Sequence, residues 1–295
     1  MKIVVTGSLG HISKPLSEKL IKAGHQVTIV TSQAGKIGAI ESIGAQAAVG
    51  SLEDADFMLR TLQGADAAYL MIPPTHNPGN SWIAYQRRLA DLLTEAVAKS
   101  KVARVVLLSS VGAHLGKGAG PVDGISYFEW KLNQLKTLHL RILRPSYFFY
   151  NLFSQIGMVK GMNIFGGNFG GSDEKLVLTH TEDIADAAAE ELLKPFKGQA
   201  IRYVASDERH PREVAAVLGK AVGKPGLPWV EFKDEDSLGG MLQAGVPEVI
   251  AKAYVEMGGS LRKGKMQEDY WKNRPRLGKR KLEDFAKEFA AAYNH

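Results

Sequence analysis

Two places in this chain carry residues whose types and spacing could do chemistry. The first is Thr6-Gly7-Ser8-Leu9-Gly10-His11-Ile12-Ser13, which follows an apolar run and precedes a stretch with helical spacing. Gly7 permits a tight turn and Gly10 lets the backbone approach a ligand. The first amides of the following helix direct a partial positive charge outward, so the loop suits a phosphate or pyrophosphate. The spacing is G-x-x-G-x-x-S, with Ser13 as a small polar substitute where a third glycine would let helix and strand pack closely. The second place is Tyr127-Phe128-Glu129-Trp130-Lys131. On a helix, Tyr127 and Lys131 stand one turn apart on one face. An ammonium beside a phenol lowers the phenol pKa and lets it give a proton to a carbonyl. The same spacing also arises by chance on an ordinary amphipathic helix.

The elements that must position these residues follow from hydrophobic periodicity. Residues 1–7 form an apolar, β-branched run that stops at a glycine, 12–23 carries Ile12, Leu16, Leu20 and Ile21 at helical spacing, and Gly24 caps it. Further strands are predicted at 26–30, 45–49, 67–72, 104–109 and 140–143, with a long helix over 82–98. Strands alternating with helices imply parallel pairing with right-handed crossovers. The predicted fold class is therefore α/β, a doubly wound parallel sheet with a smaller, mixed C-terminal substrate region. Ligands of such sheets sit beyond the carboxyl ends of the strands, here near Gly7, Thr31, Ile72, Ser109 and Arg144. After Pro145 the pattern loosens: 161–171 is glycine-rich, 181–193 and 212–222 are helical, and 201–204 is a short strand. A soft boundary divides a dinucleotide-binding part, 1–150, from a substrate or partner region, 151–295, and the later segments are expected to return to the sheet edge.

A carboxylate at the end of the second strand commonly accepts hydrogen bonds from the adenosine ribose of NAD. The segment here is Val30-Thr31-Ser32-Gln33-Ala34-Gly35-Lys36, with no acid. Thr31, Ser32 and Lys36 could hold the 2′-phosphate of NADP, so NADP(H) is favoured over NAD(H). Thr6 to Gly10, Gly50-Ser51-Leu52-Glu53-Asp54, Gly64-Ala65-Asp66-Ala67, Ser109-Ser110-Val111-Gly112-Ala113, Leu143-Arg144-Pro145-Ser146-Tyr147-Phe148 and Thr181-Glu182-Asp183-Ile184-Ala185-Asp186 follow one another in order. Together they resemble the NmrA-like branch of the atypical short-chain dehydrogenase/reductases, over roughly residues 1 to 220. The resemblance implies an NAD(P)-binding Rossmann domain and a small C-terminal substrate region. It implies the backbone of Ser8, Leu9, Gly10, His11 and Ile12 on the pyrophosphate, and Thr31, Ser32 and Lys36 at the adenosine ribose. It also implies Ser51 and Leu52 beside the adenine, Ile72 and Pro73 along the ribose, and Ser109, Ser110, Pro145 and Tyr147 near the nicotinamide. Aligned on Glu129-Trp130-Lys131-Leu132, the family frame sets Ile125 and Glu129 where the tyrosine and lysine of a reductase would stand, two positions from Tyr127 and Lys131.

Two functions from different classes fit. One is an NAD(P)H-dependent oxidoreductase passing hydride to a small quinone-like or aromatic carbonyl substrate. The other is a non-catalytic, NADP(H)-sensing regulator of the NmrA type acting through a protein partner. Tyr147-Phe148-Phe149-Tyr150, with Phe165 and Trp82, could floor a flat substrate or could be plain core. The lone histidines His76 and His180 read as solvent-facing or satisfied core groups, and no histidine and carboxylate spacing suggests a metal. The 295 residues contain no cysteine, which excludes disulfides, thiolate nucleophiles and cysteine-ligated metals. With 45% hydrophobic and 23% charged residues and no long apolar run, no membrane span is predicted. The apolar strand run that starts at once, at Met1, predicts no leader segment and a cytoplasmic location. The net charge of +6 comes from residues 262–281, where nine basic residues face two acidic ones. That segment reads as a solvated loop or as an arm for an anion or protein partner, and nucleic acid is not expected.

Overall fold

The computed structural model describes residues 1–75, 77–171 and 174–295, so His76 lies outside the described residues. The first half alternates strictly: β1 (Lys2–Val5), α1 (Ser13–Lys22), β2 (Gln26–Thr31), α2 (Ile37–Ser42), β3 (Gln46–Val49), α3 (Ala55–Leu62), β4 (Ala67–Leu70), α4 (Trp82–Ser100), β5 (Arg104–Leu108), α5 (Val122–Asn133) and β6 (His139–Pro145). The rest is less regular: β7 (Tyr147–Phe148), α6 (Ile156–Met162), β8 (Phe165–Gly167), β9 (Leu176–Thr179), α7 (Thr181–Leu193), β10 (Gln199–Val204), β11 (Asp207–Arg209), α8 (Pro211–Ala221), β12 (Trp229–Glu231), α9 (Asp234–Gln243), α10 (Glu248–Arg262), α11 (Glu268–Lys272) and α12 (Leu282–Asn294).

A seven-stranded sheet has the order β10-β6-β5-β4-β1-β2-β3. The strands pair in parallel, with Ile3 between Val27 and Ala67 and Leu107 opposite Ile142. This is the doubly wound architecture expected from the alternation. Successive strands run outward from β1 to β3 on one side and from β4 to β6 on the other, so the order reverses between β1 and β4. Both sheet faces are covered, which explains why the strands read as unbroken apolar runs. Val4, Ala68, Leu70, Val105, Leu107 and Ile142 pack with Met58 and Leu62 of α3, Leu89, Leu93 and Val97 of α4, and Phe128 and Leu132 of α5. The alternate residues Ile3, Val5, Tyr69 and Val106 are equally buried. Side-chain caps set the starts of two of these helices: the carboxylate of Asp54 accepts from the Phe57 amide, and the Ser81 hydroxyl accepts from the Ala84 amide.

The chain divides into two compact units, each made of three segments. The first comprises Met1–Ser110, Gly124–Arg144 and Ile184–Arg202, and the second Val111–Asp123, Pro145–Asp183 and Tyr203–His295. The second unit holds two small sheets, β11-β9-β7 and β12-β8, and an aromatic core in which Phe149 and Phe165 meet Phe285 and Phe289 of α12. Phe149 stacks on Phe285 with ring centres 5.4 Å apart. Phe149 and Phe165 are thus part of this core, and Trp82 is buried within the first unit.

Asp207 ties the start of α12 to β11. Its carboxylate accepts from the Leu282 amide at 3.1 Å and the Glu208 amide at 2.9 Å, and pairs with Arg209 at 3.0 Å. Burial raises the Asp207 pKa, but the Arg209 hydrogen bond and the two amides outweigh it, so the net shift is downward. A carboxyl group with a depressed folded-state pKa stabilises above its unfolded value near 3.9, and that contribution is lost as pH falls through the folded value. Asp207→Asn should lower stability at neutral pH by about 1–2 kcal/mol. In urea unfolding the difference from the native chain should shrink toward pH 3, and a difference independent of pH would contradict this account.

Candidate functional site

The turn from β1 to α1 is built around four small residues of the first unit, Gly7, Ser8, Gly10 and Ser13. Gly7 has φ +93° and Ser8 φ +54°, so two successive residues take left-handed backbone and fold the chain back sharply. The buried Ser13 hydroxyl donates to the Thr6 carbonyl at 2.8 Å, fastening the first turn of α1 to the end of β1. A Cβ on Gly7 would stand 2.5 Å from that hydroxyl oxygen, and one on Gly10 3.0 Å from the Gly7 carbonyl. Ser13 thus supplies by a hydrogen bond the close packing that a third glycine would allow sterically. The Thr6 hydroxyl accepts from the Met71 amide at 2.9 Å and donates to the Tyr69 carbonyl at 3.2 Å, joining the ends of β1 and β4 where the strand order reverses.

The cradle fits an anion on its own terms. Helix α1 has no side-chain cap at Ile12 and no acidic residue in its first turn, so neither its cap nor its first turn neutralises the positive end of its dipole. At the end of β2, Thr31 is buried, and its hydroxyl oxygen accepts from Ser8 at 3.0 Å and from the Gln33 amide at 3.2 Å. Thr31 therefore shapes the loop, while Ser32 lies exposed and Lys36 half-buried at the same edge. Ser51 is exposed after β3 and accepts from the Glu53 amide at 3.1 Å, with Leu52 half-buried beside it. Ile72 is buried and Pro73 half-buried beyond β4, and Ser109 and Ser110 follow β5. The parallel sheet thus brings these residues to one edge of the first unit.

Pro145 and Tyr147 belong to the second unit. The Tyr147 ring is stacked on Phe169 at 5.0 Å, and Phe169 meets Trp229 edge-on at 5.3 Å. Burial raises the Tyr147 pKa above the ordinary phenol value, keeping the group neutral. His180 is a satisfied core group: Nε2 meets Glu288 at 2.9 Å and Nδ1 accepts from the Glu182 amide. Within the basic segment, Arg262 pairs with Asp234, Arg274 with Glu208 and Arg280 with Asp183, and Lys281 donates to the Ser206 carbonyl. These four of its nine cations bind the unit's own acceptors. Among the described residues, no group of His, Asp and Glu side chains is arranged to hold a metal, and no helix is long and apolar enough to cross a membrane.

Tyr127 and Lys131 both turn toward Asp91 of α4, at 3.0 and 2.8 Å. The Asp91 hydrogen bond raises the Tyr127 pKa, and the Lys131 charge is spent on the same carboxylate. A phenol poised to give a proton would need the opposite shift. Glu129, about 200° around α5 from Tyr127, points inward. Its carboxylate accepts from the Ser109 hydroxyl and from Arg144, through Nε at 3.0 Å and Nη2 at 2.6 Å, and all three side chains are about 95% buried. Sequence reasoning set Arg144 at the ligand edge and Glu129 at the lysine position of the family frame, but did not foresee that the two pair. The available signal was an arginine in the apolar sixth strand, one residue before the proline that ends it. Gly7→Ala should reduce affinity for the dinucleotide expected at this loop and cost about 1–3 kcal/mol, because a side chain there meets both the wrong φ and Ser13. A fluorescence titration and a melting curve would measure both effects, and an alanine variant with native affinity would remove the loop from the site.

Residues 7–195 match the sequence profile of a family described as NAD(P)H-binding. The chain is 23% identical over 261 residues to the NAD(P)H azoreductase of Xenophilus azovorans, covering 86% of this chain and 85% of that protein. Its fold is similar to that of the NADPH-dependent quinone oxidoreductase QOR2 of Escherichia coli, solved with NADPH, with a TM-score of 0.82 and 18% identity over 97% of this chain and 99% of that one. It is likewise similar to the triphenylmethane reductase of Citrobacter sp. complexed with NADP(H), with a TM-score of 0.79 and 17% identity over 98% and 99% of the two chains. The match spans well over half the chain and begins at the glycine turn whose bare helix start suits a pyrophosphate, so this chain belongs to the NAD(P)H-binding family.

Proposed function

We propose that the chain is an NAD(P)H-dependent oxidoreductase of the NmrA-like branch, passing hydride to a flat quinone-like or aromatic acceptor. The observation that carries this reading is the Gly7–Ser8 turn opening onto the uncapped start of α1 at the reversal of strand order, which is where a dinucleotide pyrophosphate is held in such sheets. The names of the relatives, an azoreductase, a quinone oxidoreductase and a triphenylmethane reductase, point to aromatic acceptors. NADP(H) is preferred on the grounds that the end of β2 has no carboxylate to repel a 2′-phosphate and offers Ser32 and Lys36 to hold one.

In this reading the backbone of Ser8, Leu9, Gly10, His11 and Ile12 binds the pyrophosphate, and Ser51, Leu52, Ile72 and Pro73 line the adenosine half. Ser109 and Ser110, at the end of β5, border the nicotinamide half. The bound reduced nicotinamide supplies the hydride. The chain's part is to hold and orient it, and an aromatic oxyanion product can take its proton from water without an acidic side chain. Tyr127 and Lys131, engaged with Asp91, are structural in this scheme.

NADPH consumption with a panel of quinones and azo dyes should exceed background for at least one acceptor. Gly10→Glu, which sets a carboxylate in the phosphate cradle, should reduce that turnover about a hundredfold, the equivalent of ~3 kcal/mol. Tight binding of both redox forms with no turnover of any acceptor would overturn the enzyme reading. Tyr127→Phe should turn over at the native rate, and a large loss would return that phenol to the mechanism.

A further inference from the structure

The first unit buries one ion pair against a hydroxyl at the ligand edge of its sheet, and the geometry fixes what that hydroxyl can do. Arg144 meets the Glu129 carboxylate through two nitrogens, at 3.0 and 2.6 Å, and has no proton to accept or lose in the process. The carboxylate is therefore an acceptor on both oxygens. The Ser109 hydroxyl, hydrogen-bonded to the same Glu129 oxygen, has to be the donor. With its single proton committed inward, the Ser109 oxygen retains lone pairs only.

A second constraint is position. Ser109 directly follows β5, and its amide is held by the Leu143 carbonyl at 2.8 Å. In a sheet of this order, the phosphates lie at the β1 to α1 turn and the adenosine extends toward β2. The nicotinamide half then falls on the other side of the reversal, over the ends of β4 and β5. Ser109, 5% exposed at that strand end, stands where a dinucleotide lying against the sheet would pass.

We propose that Glu129 and Arg144 are positioning residues that hold Ser109 as a hydrogen-bond acceptor for the carboxamide NH₂ of the nicotinamide. This rests on the reading of the chain as a dinucleotide-binding oxidoreductase. Ser109 is then not a proton donor to substrate. It selects a cofactor that carries an amide donor at the 3-position of its ring.

The test compares NADP⁺ with its 3-acetylpyridine analogue, which has a methyl ketone in place of the carboxamide, by calorimetric titration of the full chain. The unphosphorylated pair is run in parallel. The native chain should bind the nicotinamide form about tenfold more tightly, the worth of one hydrogen bond to a buried acceptor. Ser109→Ala should bring the ratio close to one, and Glu129→Gln should move it in the same direction. A ratio of affinities does not depend on the folded fraction, so a merely structural role for Glu129 would leave it unmoved. If Glu129→Gln fails to fold, Ser109→Ala, which keeps the ion pair, still decides the role of the serine. Equal affinities in the native chain, or a native ratio in Ser109→Ala, would overturn the proposal. A native ratio in Glu129→Gln would remove the positioning role alone. A native chain that binds none of the four dinucleotides would overturn the cofactor reading itself, a result distinct from binding without discrimination.

Discussion

The hydrogen bond from the Ser13 hydroxyl to the Thr6 carbonyl is the constraint around which the binding edge is organised. A chain leaving a parallel strand must reverse into a helix within a few residues while keeping its amides free of its own side chains. Here that requires left-handed backbone at Gly7 and Ser8, no side chain on Gly7 because Ser13 fills the space, and no cap at Ile12. The Thr6 hydroxyl then locks β1 to β4 at the point of reversal. Each choice has a local cost in backbone strain or an unfilled helix start. Together they leave a preformed concentration of positive dipole that a pyrophosphate can occupy.

Much of this was legible in the sequence because the physics was local. Apolar runs ending in Gly7, Ser109 and Pro145 mark strands buried on both faces, and the alternation with helices dictates parallel order. The glycine turn was readable for the same reason, including the serine in its third position. The small strands β7 to β9, β11 and β12 were harder to foresee, since two- to four-residue strands leave little periodicity and depend on distant partners such as Phe165 opposite Trp229. The aromatic run after Pro145 was ambiguous on composition alone. Only packing separates Phe149, stacked within a core, from Tyr147, which lies on Phe169.

Charge was the least legible feature, for a physical reason. The value of an ionisable group depends on its partners, and those are set by topology rather than by spacing. Tyr127 and Lys131 have the spacing of a catalytic pair, yet both are drawn to Asp91 from a neighbouring helix. Glu129, in the same turn of α5, meets Arg144 and Ser109 in the interior. The basic segment behaves alike: Arg262, Arg274 and Arg280 find carboxylates that lie 28, 66 and 97 residues away in the chain. A run of cations that suggests an external partner is in part an internal set of fasteners.

The threading of the chain through the two units bears on how the protein is made. The first unit is not complete until the segment ending at Arg202 has joined it, and the second takes its opening piece from Val111–Asp123 but most of its mass from residues beyond Tyr203. During synthesis, the stretch after Ser110 meets its Pro145 partner early, through the Val111 amide, but its apolar partners Leu261, Met266 and Tyr270 emerge only after the first unit is complete. Contacts of such long sequence separation are slow to form, and apolar surface stays exposed in the interval. The strands of the seven-stranded sheet are thus all synthesised before most of the second unit, so the edge that will hold the dinucleotide can pair before the residues beyond Tyr203 exist.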